Sequence, residues 1–392
     1  MRPIRGPRFW GGLTAVLSVA IVAALLALTL PYLNEGADDA GVKDDAAVTS
    51  ASATASDDAS ASASSPASSD PSATEDVGMD TDQLDYQALE AVGEGWALAT
   101  AVDDADAVTL MAIDPAGGIY QAASLPEGSE LLGWLATAQA VVYDPATTEL
   151  YEVIIVDGTK TSFGTGWEDP EIAIPADGSV EQVFVLSGPE GERTIRAVDT
   201  LTGDVDDVAD AADRRSPVSS ADGATVLTAV GESPVDVVAS AAGAADSSLG
   251  APLGGTDCEP SAWEDGRQAI VVCADSDTTV WALEATTGTY AQAATLASSG
   301  HLALAASGTR VLVAGSVYGV DGTLKWELPA EAADATAGAF SGTTLVLWSP
   351  DKDGLTGSVS LVRSTGELSG VASVPDGYQG FAQVVPAAAY FE

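Results

Sequence analysis

The 392-residue chain has one histidine, two cysteines, one asparagine and 14 lysines plus arginines against 58 aspartates plus glutamates. Each scarcity removes a class of function. A formal net charge of −44 argues against nucleic acid as a partner, because neutralising phosphates needs clustered Lys and Arg. The same charge disfavours docking onto an anionic lipid surface. A Ser-His-Asp triad would have to use His301, in "SSGHLALAAS", and no G-x-S-x-G elbow supplies a nucleophile. His301 opens an expected strand and is read as structural. Two cysteines with no histidine beside them and no C-x-x-C spacing make neither a zinc site nor a dithiol redox motif. The rarity of Lys and His follows the Ala/Gly/Asp bias of a GC-rich genome and needs no functional cause.

Charge is also missing from the N-terminus after its first turn. Arg2, Arg5 and Arg8 precede an uncharged run from Phe9 to Asn34, and the next ionisable side chain is Glu35. Such a run is long enough to cross a bilayer with some tilt. Basic residues before it and acids after it place residues 1–8 in the cytoplasm and the rest of the chain outside. The competing reading, a cleaved signal peptide, expects a shorter apolar core and an A-x-A-like site. Leu13 to Leu30 is unbroken, so an uncleaved single-pass anchor in the plasma membrane is the expectation.

Residues 35–84 lack aromatics until the chain nears Tyr86. The stretch "ASATASDDASASASSPASSDPSATED" cannot bury enough apolar surface to offset its ordering entropy. It reads as a disordered acidic tether, and a flexible chain of about 50 residues spans on the order of 40 Å. Residues 85–392 carry every tryptophan except Trp10 and are long enough for a full core.

Helical periodicity is scarce in that domain. Short apolar runs recur instead: "WALATAV", "AVVY", "VFVL", "TVLTAV", "AIVV", "RVLV" and "TLVLW". Their centres, Leu98, Val142, Val185, Leu227, Val271, Leu312 and Val346, step by 41–44 residues, with a last step of 34. A period of roughly 40–45 residues with several short strands per unit marks a β-propeller blade. Continuous apolar runs suit mid-blade strands covered on both faces. After each run comes a strand ending in an acid and a glycine, as in "LMAIDPAGG", "YEVIIVDG" and "IRAVDTLTG". Weaker copies are "VDVVASAAG" and "SLVRSTG". Asp114, Asp157, Asp199, Glu284 and Asp321 are read as turn-capping side chains rather than a catalytic set. Gly203, Gly288, Gly322 and Gly366 are read as the turn residues that accept positive φ.

Two copies, "VWALEATTGTY" and "VYGVDGTLKWEL", resemble the PQQ-like, quinoprotein-type propeller repeat, whose blade reads A-L-D-x-x-T-G-x-x-x-W. The resemblance, to a membrane-anchored actinobacterial-type member, extends over 85–392. It implies an all-β propeller of about seven, or eight, four-stranded blades. Only Trp326 fills the trailing tryptophan position, with Tyr290 a partial match. "FAQVVPAAAYFE" is expected to add a strand to the first blade, close the ring and remove an exposed edge. The family's quinone enzymes hold their cofactor with a vicinal disulfide, a tryptophan platform and a calcium ion bound by Glu, Asn and Asp. This chain has no vicinal cysteines, and its asparagine, Asn34, precedes the propeller, so no PQQ and no other cofactor is expected.

The cysteines fall in "CEPSAWEDGRQAIVVC", two strands around Asp265-Gly266, a strong hairpin signal. That turn sets Cys258 opposite Cys273, and an oxidising compartment favours a disulfide contributing about 3 kcal/mol. Pro260 cannot donate to the ladder and marks the place for a bulge. "SPDKDGLTGSVS" half-resembles a calcium loop through Asp351 and Asp353, but Ser360 stands where a bidentate Glu belongs. Trp134, Trp167, Trp263 and Trp348 are assigned to blade packing ahead of a binding face. The expected function is non-enzymatic: a membrane-anchored extracellular propeller that binds or scaffolds an extracellular or membrane protein or peptide. The alternative is a cell-surface carbohydrate-active hydrolase, lyase or glycan-binding propeller using paired loop carboxylates.

Overall fold

Each of the seven apolar runs becomes the second strand of a β-sheet. The computed structural model describes residues 82–387, apart from 85, 90, 137, 176–180, 190, 221, 232–234, 253–257, 264–267, 275–276, 298–300 and 305–307. The expected membrane segment, 9–34, lies outside the described residues, as does nearly all of the expected tether. Among the described residues no helix is long and apolar enough to cross a membrane.

The described chain forms seven sheets, six of four strands and one of five, and so seven blades rather than eight. Blade five shows the pattern from inside to outside: Cys258–Trp263, Gln268–Ala274, Thr278–Glu284 and Thr289–Leu296. Blade six is the shortest, with four four-residue strands from His301–Leu304 to Leu324–Glu327. This shortening accounts for the reduced last step of the repeat. The C-terminal strand Tyr378–Pro386 pairs antiparallel with Ala97–Asp103 and supplies the innermost strand of blade one, closing the ring as its sequence suggested. Asp82–Gln83 adds a parallel fifth strand outside blade one, along Ile119–Leu125. Behind it a one-turn helix, Tyr86–Leu89, buries Leu89, and Leu84 is also buried.

The core is divided among the interfaces between blades, and this explains the apolar runs. Val142 packs toward blade one, while its neighbour Val141 packs toward blade three. Val271 faces blade four and Ile270 faces blade six. Successive residues of a strand point to opposite faces, so a strand covered on both sides has no polar alternation. Trp134, Trp167 and Trp263 are buried in these interfaces, and Trp348 is half-buried at the interface between blades seven and one.

The antiparallel order gives the ring two distinct ends. One, the hairpin end, carries the tight turns from third to fourth strand. The other, the crossover end, carries the loops from second to third strand and those that pass to the next blade. All five acids of the sequence motif lie at the hairpin end, in or beside its turns. Asp114 Oδ1 accepts the N–H groups of Ala116 (2.7 Å) and Gly118 (2.9 Å). Asp199 Oδ1 accepts those of Leu201 and Thr202, each at 2.9 Å. The Thr202 bond is the main cause holding the Asp199 carboxyl below its ordinary pKa. Asp157 and Asp321 make the same kind of bond to Thr159 and Thr323.

The turn glycines do more than accept positive φ. A Cβ on Gly117 would sit 2.8 Å from the Val371 carbonyl oxygen in the outer strand of blade seven. One on Gly366 would sit 3.0 Å from Trp326 Cβ in blade six. The glycine therefore lets these turns rest against the preceding blade, and Gly203, Gly288 and Gly322 are placed the same way, whereas a Cβ on Gly243 would meet nothing within 4 Å.

Candidate functional site: an arginine-bearing cleft

The sequence marked acids and cysteines; the crossover end is built around arginines. Four of the 14 basic residues, Arg193, Arg196, Arg214 and Arg215, fall in one short stretch. That clustering was visible in "GERTIRAVD" and "ADRRSP", but the excess of acids masked it. A cleft of about 600 Å³ opens between blades three and four, lined by Asp169, Arg193, Asp213, Arg214 and Arg215 among others. Gly188, Ala212, Val230 and Gly231 supply its remaining walls.

The arginines are held by an ion-pair network that crosses three blades. Arg193, just before the third strand of blade three (Thr194–Asp199), pairs with Glu171 at 2.6 Å. Its other end nitrogen donates to the Asp169 carbonyl at 3.0 Å. Glu171 also accepts the Ser216 N–H at 3.1 Å, tying the inner strand of blade three to that of blade four. Arg215 Nε pairs with Glu259 of blade five at 2.9 Å, and its Nη1 donates to the Gly231 carbonyl at 2.7 Å. Arg214 pairs with Asp246 and donates to Ser240 Oγ at 2.7 Å. Arg196 sits apart, its guanidinium 5.0 Å from the centre of the Trp167 ring.

Two features distinguish this network from a purely structural staple. The Arg193 Nε is buried and has no hydrogen-bond partner among the described residues. Buried donors are almost always satisfied, so an orphan marks a place for a missing acceptor. Arg215 is 31% exposed, whereas the side chain of Arg214 is only 9% exposed. The backbone is strained here as well. Asp169 and Ser216 have φ of 47° and 51°, and the other positive-φ non-glycine residues among the described residues are Asp106, Thr148 and Ala314. Four lie in loops of the crossover end and Ser216 at a bulge in the first strand of blade four, in the half nearer that end, and such conformations concentrate at sites where function imposes them.

A second cleft at the same end, of about 310 Å³, lies between blades one and two and includes Glu127, Ser129, Glu130 and Gln383. Burial, and then the negative charge of Asp169, push the Glu130 carboxyl above its ordinary pKa. Glu130 and Asp169 line different clefts, so the two carboxylates do not converge on one ligand space.

Cys258 and Cys273 are bonded to each other. With a two-residue turn Trp263 would face Gln268; it faces Ala269, one residue out. A bulge at Ser261, next to Pro260, takes up the extra residue and restores the facing of the two cysteines. The bond lies between strands and not between adjacent residues, and no asparagine occurs among the described residues. The propeller therefore does not fit a quinone cofactor held in the manner the repeat's relatives use. Asp351 Oδ1 accepts the N–H groups of Asp353 (2.8 Å) and Leu355 (3.1 Å), while Asp353 lies 3.2 Å from Lys352 Nζ. Among the described residues no three His, Cys, Asp or Glu side chains gather to hold a metal ion.

No family model matches the chain, and no curated protein matches it. Solved structures similar to it include TolB from Acinetobacter baumannii, at 14% identity over 74% of this chain and 66% of that one, with a TM-score of 0.45. A Mycobacterium tuberculosis puromycin-hydrolyzing peptidase is 16% identical over 75% of this chain and 55% of that one, with a TM-score of 0.49. An oligogalacturonate lyase in complex with manganese is 12% identical over 69% of this chain and 83% of that one, with a TM-score of 0.47. This chain thus spans about two thirds of the TolB chain and about half of the peptidase chain. These neighbours are seven-bladed propellers like this chain, and at such identities their activities do not carry over to it.

Proposed function

We propose that this protein is a membrane-anchored, extracellular, non-enzymatic binding module. In this reading residues 9–34 anchor it, the acidic tether sets its reach, and the propeller presents its crossover end to a protein or peptide. The observation that carries the reading is the gathering of the arginine-bearing cleft and all five strained non-glycine residues at or near that one end. A closed ring of sheets suits recognition because it is a scaffold that fixes the roots of its loops before the partner arrives. We also assign the blades to the PQQ-like repeat. Trp326, in the trailing position of one good copy, packs on Gly366 of the next blade, and Tyr290 of the other donates to the Gly250 carbonyl of the preceding blade at 3.0 Å.

The carbohydrate-active alternative rests on Glu130, whose pKa is raised by burial and then by the negative charge of Asp169. Its separation from Asp169 into another cleft weighs against that alternative. A pull-down with the full chain, disulfide intact, against membrane, secreted and cell-wall fractions tests the choice. Saturable capture of a protein supports the binding module. Selective retention of polysaccharide with no protein partner would overturn it in favour of the glycan reading.

A further inference from the structure

We infer that the cleft between blades three and four takes the C-terminal carboxylate of a peptide or protein. This deepens, and rests on, the binding-module reading above. The argument starts from donors. An arginine offers five N–H donors in a fixed fork. Arg215 directs Nε to Glu259 and Nη1 to the Gly231 carbonyl, which leaves its Nη2 for a ligand. Arg193 directs both end nitrogens to protein oxygens, and its Nε is the buried orphan. A carboxylate is the ligand group whose two oxygens match guanidinium geometry.

The acids around the cleft decide what kind of anion enters. Glu171 and Glu259 already pair with Arg193 and Arg215, and Asp169 and Asp213 also line the walls. On a chain of net charge −44, a polyanion would be repelled at every other point of its length. A ligand carrying one terminal carboxylate avoids that repulsion.

The walls decide what the carboxylate is attached to. Gly188, Ala212, Val230 and Gly231 are small, and none of the described lining residues is aromatic. A pyranose ring finds no aromatic face to stack on, whereas a peptide backbone fits a narrow wall of small side chains and main-chain polar groups. A cleft of about 600 Å³ falls in the size range of small-ligand sites and suits a few terminal residues.

The test uses the full chain and fluorescein-labelled Gly-Ala-X tripeptides, each as the free acid and as the C-terminal amide, read by anisotropy. The free acids should bind at least tenfold more tightly than the amides. Arg215→Gln should reduce free-acid binding about tenfold or more. Glu259→Gln, which frees Arg215 from its resident counter-ion, should tighten it, an effect that a purely structural role for the pair would not produce. Thermal melts of both variants check folding, and the comparison of acid with amide on the unmutated chain needs neither variant. Equal binding of acids and amides would overturn the inference, as would retention of trigalacturonate in place of the peptides. A protein partner captured equally by the unmutated chain and by Arg215→Gln overturns the carboxylate site and leaves the binding-module reading standing. Failure to capture any partner or bind any peptide overturns both.

Discussion

The two ends of the ring solve the same geometric problem differently. Both must turn the chain through positive φ. In the turns from third to fourth strand at the hairpin end the residues that do so are glycines, one per blade, at 117, 158, 203, 243, 288, 322 and 366. At or near the crossover end Asp106, Thr148, Asp169, Ser216 and Ala314 adopt it as well, at about 1 kcal/mol or more of strain each. Those turns repeat one solution, and five of the seven pack closely on the blade before them, at Gly117, Gly203, Gly288, Gly322 and Gly366. The crossover end varies from blade to blade, tolerates strain and holds the arginines. Regularity marks the end that builds the ring, and irregularity marks the end available for recognition.

The largest expected effect comes from breaking the hairpin end. Gly370, in the outer strand of blade seven, lies against the backbone of Ala116 and Gly117, with no room for a Cβ. Gly370→Val should destabilise the seam between blades seven and one by about 3 kcal/mol or more, read as a large fall in the urea midpoint. An unchanged midpoint would show that the turns do not bear on the ring. Removing the disulfide with Cys258→Ala and Cys273→Ala together should cost about 3 kcal/mol. Because Cys258 adjoins Glu259, the same change should also loosen the Arg215 ion pair, visible as faster amide exchange around Arg215.

Smaller effects sharpen the contrast between the ends. Gly203→Ala should cost about 1 kcal/mol or more, since Ala is strained at φ 76°. Ala314→Gly, at the opposite end and at φ 47°, should cost nothing or stabilise by up to about 1 kcal/mol. If both substitutions destabilise equally, the distinction between the ends fails.

Glu152 gives a test by pH. It is buried in the third strand of blade two (Glu149–Ile154), with one oxygen accepting from Gln139 at 2.9 Å and the other unpartnered. Burial raises its pKa, so the folded chain holds the proton more tightly than the unfolded chain. Its contribution to stability is therefore lost as pH rises through the ordinary carboxylate range toward the raised value, and is recovered on acidification. Glu152→Gln should raise the urea midpoint at pH 7, and the gain should shrink as pH falls and the native carboxyl becomes protonated in both states. A gain independent of pH would assign the effect to packing instead.

The repeat was legible because its causes are local. Each second strand is wedged between two neighbours and so is apolar throughout, and most of the hairpin turns carry an acid and a Gly at fixed offsets. The cysteine pairing was legible for a partly different reason from the one its turn suggested: Trp263 faces Ala269, one residue out, and the bulge at Ser261 restores the facing of the cysteines. The cleft was not legible. The arginines cluster in the sequence, but their partners Glu171 and Glu259 lie 22 and 44 residues away, so nothing local shows what holds them.

By itself, the sequence determined that this chain is a propeller of repeated blades, with its apolar runs in second strands and its Asp-Gly turns at one end. Periodic burial and turn chemistry act over a few residues, and composition records them directly. Only the tertiary structure decided between seven blades and eight, and brought arginines from two blades together in one cleft. Those outcomes depend on ring closure, which brings together residues far apart in the chain and leaves no local pattern behind.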